Sequence, residues 1–199
     1  IGTFILWFGW FGFNGGSQLA LGSAADAAAM ANVYVNTNMA ACGGLVAAMI
    51  LASLLYGKVD LTLALNGALA GLVSITAGPD VETPLQAILI GAIGGILCTL
   101  AIPLLDKFKI DDVVGAISVH LVAGIWGTLV VGIPGLNGSG DFTTQLIGVV
   151  IIGVFVTVVS TIVWLVLRAV TGLRPSEEEE MTGLDVSELG MEAYPEFRN

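Results

Sequence analysis

The chain has 199 residues, of which 56% are hydrophobic and 11% are charged, and its mean hydropathy is +0.94. These proportions exclude an ordinary soluble domain, in which roughly a quarter of the residues are charged, and a disordered chain, which is poor in apolar residues. Half of the 16 acidic residues follow residue 175, so much of the net charge of −10 belongs to the C-terminal segment. We expect no nucleic-acid partner, because phosphate binding needs clustered bases and the chain has only six Lys and Arg residues.

The charged residues divide the apolar body of the chain into six charge-free stretches of 19 to 31 residues. A transmembrane helix needs about 20 mostly apolar residues, and these stretches lack the polar face of a helix in a soluble bundle. The sequence therefore predicts an all-α, polytopic membrane helix bundle with six transmembrane helices. The bundle is predicted to occupy residues 1–172, with spans at about 1–22, 28–56, 62–78, 85–105, 113–133 and 143–171. Residues 173–199 are predicted to form an acidic cytoplasmic tail.

The basic residues predict the orientation of these spans. All six lie on one side of the predicted membrane: Lys58, Lys107, Lys109, Arg168, Arg174 and Arg198. The loops on the other side carry only acids: Asp26, Asp80, Glu82 and Asp141. The positive-inside rule places the basic side in the cytoplasm, which predicts a multi-pass protein of the inner (plasma) membrane with a cytoplasmic C-terminus. Because the chain starts at Ile1 inside an apolar stretch, we expect it to be a piece of a longer membrane protein.

Small, polar and helix-breaking residues predict how the spans pack. Glycines four residues apart let helices approach closely; the pairs are Gly12/Gly16, Gly67/Gly71 and Gly91/Gly95. Pro103 and Pro134 are predicted to mark helix ends, and Asp112 is predicted to cap the fifth span. Intramembrane amides and hydroxyls are predicted to form interhelical hydrogen bonds; they include Asn32, Asn36, Asn38, Asn66 and Thr76. Asn38, Thr76 and Asp112 are thus candidates for pore or helix-packing support.

His120 is the single histidine of the chain and lies within the predicted fifth span. An intramembrane histidine is costly unless it lines a cavity or finds a partner, and an imidazole can accept or pass a proton near neutral pH. The alternative is a neutral imidazole that is hydrogen-bonded to a neighbouring helix. We expect no metal site and no cofactor, because no second ligand stands at metal-binding spacing from His120.

Aromatic residues crowd the first span ahead of a polar end. Trp10, Phe13 and Ser17 follow one another at i, i+3 and i+7, which places them on one helix face. Aromatic faces and a hydroxyl at a pore mouth could hold a small cation, whereas the alternative is an aromatic belt at the membrane interface. The spans contain no phosphate-binding loop, nucleophile elbow or paired carboxylates, so we do not expect an enzyme.

Four segments, in this order along the chain, resemble the ammonium transporter family (Amt/Mep/Rh). They are GTFILWFGWFGFNGGS at 2–17, NGALAGLV at 66–73, SVHLVAGIWG at 118–127 and the segment 183–194. The resemblance implies eleven spans, arranged as two inverted five-helix repeats plus a long last helix, and a homotrimer with one pore per subunit. The six predicted spans would correspond to the second inverted repeat and the last helix, in the C-terminal half.

The resemblance also implies a function and residue roles. Ammonium would be recognised outside and deprotonated, and ammonia would cross a hydrophobic pore. Trp10 and Ser17 would belong to the outer recognition region, Phe13 to a phenyl gate beneath it, and His120 to a pair of pore histidines whose other member lies in the first half. The tail resembles a cytoplasmic region that contacts PII-type signalling proteins, whereas by charge alone it is a solvated acidic segment.

Two other functions are compatible with the same residues. One is an ammonium sensor (transceptor) of the same fold that signals through its tail. The other is an Rh-like channel for a small neutral solute. All three functions use the aromatic mouth and His120, so the sequence by itself does not separate them.

Overall fold

A computed structural model describes residues 1–192 and 194–197 of the chain. It is helical, and no strand occurs among the described residues. The chain divides into two compact units, residues 1–151 and 152–199. The main helices are α1 (Gly2–Gly16), α2 (Ala24–Tyr56), α3 (Leu61–Ile75), α4 (Pro84–Lys107), a π-helix (Ile117–Val122), α5 (Ala123–Val130), α6 (Phe142–Val170), α7 (Glu177–Thr182) and α8 (Leu184–Leu189).

Each of the six predicted spans contains helix, which confirms the all-α fold. Over the described residues, α2, α4 and α6 are long and apolar enough to cross a membrane by length and composition. The boundaries differ in two places. The first helix ends at Gly16 rather than near residue 22, and the fifth segment is helical only from Ile117 to Val130. Six membrane crossings therefore stay a prediction.

Side-chain caps explain where several helices begin. The Ser23 hydroxyl accepts a hydrogen bond from the Asp26 amide at the start of α2, and Thr83 does the same for Gln86 at the start of α4. Both pairs are capping boxes, in which the side chain of the later residue also accepts a hydrogen bond from the backbone amide of the cap residue. These caps satisfy backbone donors that the first helical turn leaves free.

The core of the first unit lies where α2, α3 and α4 pack together through small residues. A Cβ on Gly71 or Gly91 would fall on the carbonyl oxygen of Ala40, and a Cβ on Gly95 would fall on that of Gly44. Only hydrogen atoms therefore fit between these backbones, as the glycine spacing predicts. No described residue packs against Gly12 or Gly16, since a Cβ at either position would meet nothing within 4 Å, so a close contact at this pair stays a prediction.

Two other predictions from single residues need correction. Pro103 lies inside α4, which continues to Lys107, so this proline does not mark the helix end. Membrane helices tolerate an internal proline because neighbouring groups satisfy the freed carbonyl. Asn32 and Asn36 donate hydrogen bonds to the Val81 carbonyl oxygen in the loop between α3 and α4, rather than to a neighbouring helix. They hold the loop against α2.

The second unit contains the end of α6 and the acidic segment. Ser176 and Glu179 form a capping box at the start of α7, and Arg174 forms an ion pair with Glu180. The run of four glutamates at the start of α7 is favoured by the positive end of the helix dipole. The segment predicted as a solvated tail thus contains two short helices, α7 and α8.

Candidate functional site

A cavity of about 570 Å³ lies in the first unit, among α1, α3 and the segment made of the π-helix and α5. No Asp, Glu, Lys or Arg is among the described residues that line it. The lining residues are Ile5, Leu6, Gly9, Trp10, Phe13, Val73, Thr76, Ala77, His120, Gly124 and Thr128. Of the predicted site residues, this cavity brings together Trp10, Phe13, Thr76 and His120.

His120 reaches the cavity from the π-helix Ile117–Val122. A π-helix carries an extra residue per turn, which shifts side chains relative to an α-helix, and such turns occur often at functional sites. The apolar pattern of the sequence predicts a regular span here and does not indicate a π-helix. His120 is exposed and lines the cavity.

Asp112 anchors the start of this π-helix. Its carboxylate accepts hydrogen bonds from the Ile117 amide at 2.9 Å, the Ser118 amide at 3.0 Å and the Ser118 hydroxyl at 3.0 Å. Burial by itself would raise the pKa of Asp112, but these hydrogen bonds outweigh burial and hold the pKa below its ordinary value. Asp112 is therefore a charged cap outside the cavity of His120, in the role that its position predicts.

Trp10 fixes the other wall of the cavity. Its indole ring stacks on the His120 imidazole, with ring centroids 6.4 Å apart and an interplanar angle of 13°. The indole N–H donates a 2.8 Å hydrogen bond to the Thr76 hydroxyl, which itself donates to the Leu72 carbonyl oxygen. Because its polar end is tethered to α3, the indole has little freedom to rotate away from His120.

Phe13 and Ser17 follow Trp10 along α1. The Phe13 ring lies 5.8 Å from the Trp10 ring and is 62% exposed. The Ser17 hydroxyl donates to the Phe13 carbonyl oxygen at 2.8 Å and is not among the residues that line the cavity. Phe13 therefore lies between Ser17 and the stacked pair of Trp10 and His120.

Thr76 and Asn38, two residues that the sequence predicts to support the pore or the helix packing, lie in different parts of the first unit. Thr76 lines the cavity and bonds Trp10, whereas Asn38 is half-buried on α2 and does not line the cavity. Gly124 and Thr128, which share the wall with His120, are not among the predicted site residues. They follow His120 by four and eight residues, and this spacing was the available signal, because residues four apart lie on one helix face.

The arrangement combines an uncharged wall with one imidazole. An imidazole offers a hydrogen-bond donor and an acceptor within an otherwise apolar lining, and the indole and phenyl faces can attract a cation. Such a surface can bind a cation at its aromatic end and pass a small neutral molecule along its length. Among the described residues, no group of three His, Cys, Asp or Glu is placed to hold a metal ion.

The chain is similar to ammonium transporters over nearly its whole length. It is 40% identical to the ammonium transporter Amt2 of Archaeoglobus fulgidus, covering 99% of this chain and 45% of that protein. It is 35% identical to the ammonium transporter of Bacillus subtilis, covering 98% of this chain and 50% of that protein. The chain thus spans about half the length of the curated relatives it matches.

Solved structures show the same similarity. The structure named "Sensor Amt Protein" superposes with a TM-score of 0.85 at 38% identity, covering 94% of this chain and 47% of that one. Candida albicans Mep2 superposes with a TM-score of 0.79 at 28% identity, covering 98% and 48%. The model of the Ammonium Transporter Family matches residues 1–194, so the chain belongs to the ammonium transporter family.

Proposed function

We propose that this chain forms one wall of a pore that carries ammonium, as ammonia, across a membrane. The observation that carries the proposal is the His120 imidazole stacked on Trp10 in a cavity lined by uncharged residues. The names of its relatives, which are transporters rather than enzymes, support this assignment. Because the chain spans about half of each relative, the other wall would come from the remainder of such a transporter.

The proposed outer recognition uses the far end of α1. The Ser17 hydroxyl already donates its proton to the Phe13 carbonyl oxygen, so its lone pairs remain free to accept a hydrogen bond from an ammonium ion. The exposed Phe13 ring offers a face for cation–π attraction. A cation held by Ser17 and Phe13 would stand at the entrance to the cavity of Trp10 and His120.

The apolar lining then discriminates by chemistry rather than by size. A bare cation in an apolar environment is strongly penalised, whereas a neutral molecule the size of ammonia passes at much lower cost. Ammonium can give up a proton and potassium cannot. His120 would keep one hydrogen-bonding position in an otherwise apolar path, while Trp10 holds the imidazole in place.

The wider architecture belongs to the same proposal. Residues 1–172 would form six spans, equivalent to the second inverted repeat and the last helix of an eleven-span transporter. The complete protein would be a homotrimer in the inner membrane, with residues 173–199 in the cytoplasm as a site for a PII-type protein. Sedimentation of the complete protein in detergent would test the trimer, and the absence of a threefold mass would contradict it.

Replacement of His120 tests the proposed pore. In the complete protein reconstituted in liposomes, we expect His120→Ala to lower the ratio of ammonium to potassium current by about tenfold, equivalent to about 1.4 kcal/mol of discrimination. Leu121→Ala is the matched control, because Leu121 is the next residue of the same π-helix and does not line the cavity. Unchanged ammonium flux and selectivity in a correctly inserted His120→Ala protein would contradict the proposal.

A second candidate function is ammonium sensing. The observation that favours it is the similarity to the structure named "Sensor Amt Protein" at 38% identity. A sensor would bind ammonium without passing it, so the same liposomes separate the two functions. Ammonium-dependent stabilisation of the purified protein together with no ammonium current would support sensing.

A further inference from the structure

A second cavity, of about 490 Å³, lies at the opposite end of α3 from the first. Asn66 lines the second cavity and Thr76 lines the first; ten residues of helix separate them, or about 15 Å. The second cavity opens on the face that carries Lys58, which the charge pattern predicts to be cytoplasmic. It would therefore lie at the inner mouth of the proposed pore.

Asn66 is the most unusual residue of this cavity. The residue is only 9% exposed, and its side chain forms no hydrogen bond with any described residue. Its amide is not among the fully enclosed unpaired polar groups of the described chain, which are Asn14 Oδ1 and Asn36 Oδ1. The Asn66 amide is therefore reached from the cavity that it lines, where a small molecule or water can be its partner.

Gly115 leaves room for this amide. A Cβ at Gly115 would lie 3.0 Å from Asn66 Nδ2 and 3.4 Å from Asn66 Oδ1. Gly115 also has a φ of +75°, a conformation in which side chains are strained. Both features keep a side chain at residue 115 from crowding the Asn66 amide.

The charges around Asn66 favour a cation. Asp60, Asp106 and Asp112 line the cavity with a single base, Lys58. One oxygen of Asp60 caps α3, and both oxygens of Asp112 accept hydrogen bonds from the π-helix. Asp106 lies in the last turn of α4, where the carbonyl end of the helix dipole also favours positive charge, and no described residue donates a hydrogen bond to its carboxylate.

We propose that this cavity binds an ammonium ion at the inner mouth, through Asn66 Oδ1 and the carboxylates of Asp106 and Asp112. The site rests on the proposed transport function and extends it to the face opposite the aromatic entrance. An ammonium ion offers four N–H donors in a tetrahedral array, and the cavity offers an unpaired amide oxygen, an unpaired carboxylate and a fixed carboxylate. Water from the open side would accept the remaining N–H.

Vesicles of both orientations test the site in the complete protein. We expect Asn66→Ala and Asp106→Asn to raise the half-saturating concentration of ammonium chloride applied from the Asp106 face by about threefold to tenfold, as loss of one hydrogen bond to a cation predicts. Applied from the opposite face, ammonium should give the wild-type value. Asp111→Asn is the control, because Asp111 is an exposed acid of the same loop that does not line the cavity.

Wild-type values from both faces, or equal changes from both faces, would overturn the site. Asp106→Asn guards against misfolding of the buried Asn66 variant, since Asp106 is exposed. If the unaltered protein passes no ammonium, the proposed transport is wrong. Binding at this cavity is then tested by measuring how far ammonium chloride raises the melting temperature of the protein. Asp106→Asn should reduce that stabilisation but leave any response to potassium chloride unchanged, and an unreduced ammonium response would overturn the site.

Discussion

At the residue scale, the stacked pair of His120 and Trp10 depends on a hydrogen bond far away in sequence. The Trp10 indole donates to Thr76, 66 residues further along the chain. The aromatic spacing in α1 predicts that Trp10 faces a path, but it contains no information about α3. The tether from Thr76 turns a large aromatic side chain into a fixed wall for His120.

Removal of this tether should reduce transport. We expect Trp10→Phe and Thr76→Val each to slow ammonium flux by roughly twofold to tenfold, because one hydrogen bond contributes about 0.5 to 1.5 kcal/mol. The double variant should lose little more than either single variant, since both remove the same bond. Stopped-flow uptake in liposomes measures all three.

Thr128→Val is the control for the hydroxyl. Thr128 also lines the cavity, but its hydroxyl donates to the Gly124 carbonyl oxygen of its own helix. The Thr128→Val variant should therefore transport ammonium at a near-normal rate. If the losses of flux in the two single variants added fully in the double variant, the hydrogen bond between Trp10 and Thr76 would not be the cause of the slower flux.

At the element scale, the π-helix and the three-helix contact organise the first unit. The π-helix begins where the Asp112 carboxylate accepts two backbone amides. The contact among α2, α3 and α4 depends on glycines whose hydrogen atoms face carbonyl oxygens. One element is held by charge and hydrogen bonds, and the other by close packing.

The Asp112 cap predicts how stability depends on pH. The folded pKa of Asp112 is lowered, whereas an unfolded aspartate titrates at about 3.9. Its stabilisation is therefore complete above about pH 4 and is lost as the pH falls through the lower folded pKa. Asp112→Asn should cost about 1 kcal/mol near neutral pH, the usual value of a lost cap, and this difference should shrink in acid.

Thermal unfolding in detergent from about pH 7 down to about pH 2, well below the unfolded aspartate pKa of about 3.9, measures this difference. Asp111→Asn serves as the neighbouring control, because Asp111 is an exposed acid of the same loop. A loss for Asp112→Asn that stays constant down to the lowest pH would contradict the role of the ionised carboxylate.

The helix contact predicts a steric effect. Gly91→Ala would place a methyl group on the Ala40 carbonyl oxygen, so we expect a loss of about 1 to 3 kcal/mol, as for overpacking of a core. Gly148→Ala in α6 should be neutral, since a Cβ there meets nothing within 4 Å. Equal melting temperatures for the two variants would show that α2 and α4 separate without cost.

At the scale of the whole molecule, charge placement predicts which loops share a side of the membrane. The loops with Lys58, Lys107 and Lys109 should face the cytoplasm, and the acidic loops should face outside. Both sets of loops connect helices of the first unit. The orientation stays a prediction that labelling can decide.

Cysteine labelling tests the orientation. In a background with Cys42→Ala and Cys98→Ala, Glu82→Cys should react fully with a membrane-impermeant thiol reagent on intact cells, whereas Asp111→Cys should react only after permeabilisation. Both positions are exposed acids in loops, so accessibility to the reagent should differ by side alone. Labelling of Asp111→Cys on intact cells would show that this loop lies outside and would contradict the predicted orientation.

Sequence patterns predicted much of the fold because each helix must be apolar over its own length. Six helical segments, the cap formed by Asp112 and the glycines of α3 and α4 follow from local rules about spacing and hydrogen bonding. The same rules failed for Pro103, and no described residue packs against the Gly12/Gly16 pair. Whether a proline ends a helix, or a glycine meets a neighbour, depends on what packs beside it.

The sequence by itself determined an apolar helical chain and its family and pointed to Trp10, Phe13 and His120 as candidate site residues, since composition and motif order are properties of the linear chain. Only the tertiary structure decided that Trp10 stacks on His120, that Thr76 tethers the indole and that a π-helix carries the imidazole. It alone also revealed the unpaired amide of Asn66. These features join residues from separate helices, and the distances between such residues arise from packing, which no local pattern encodes.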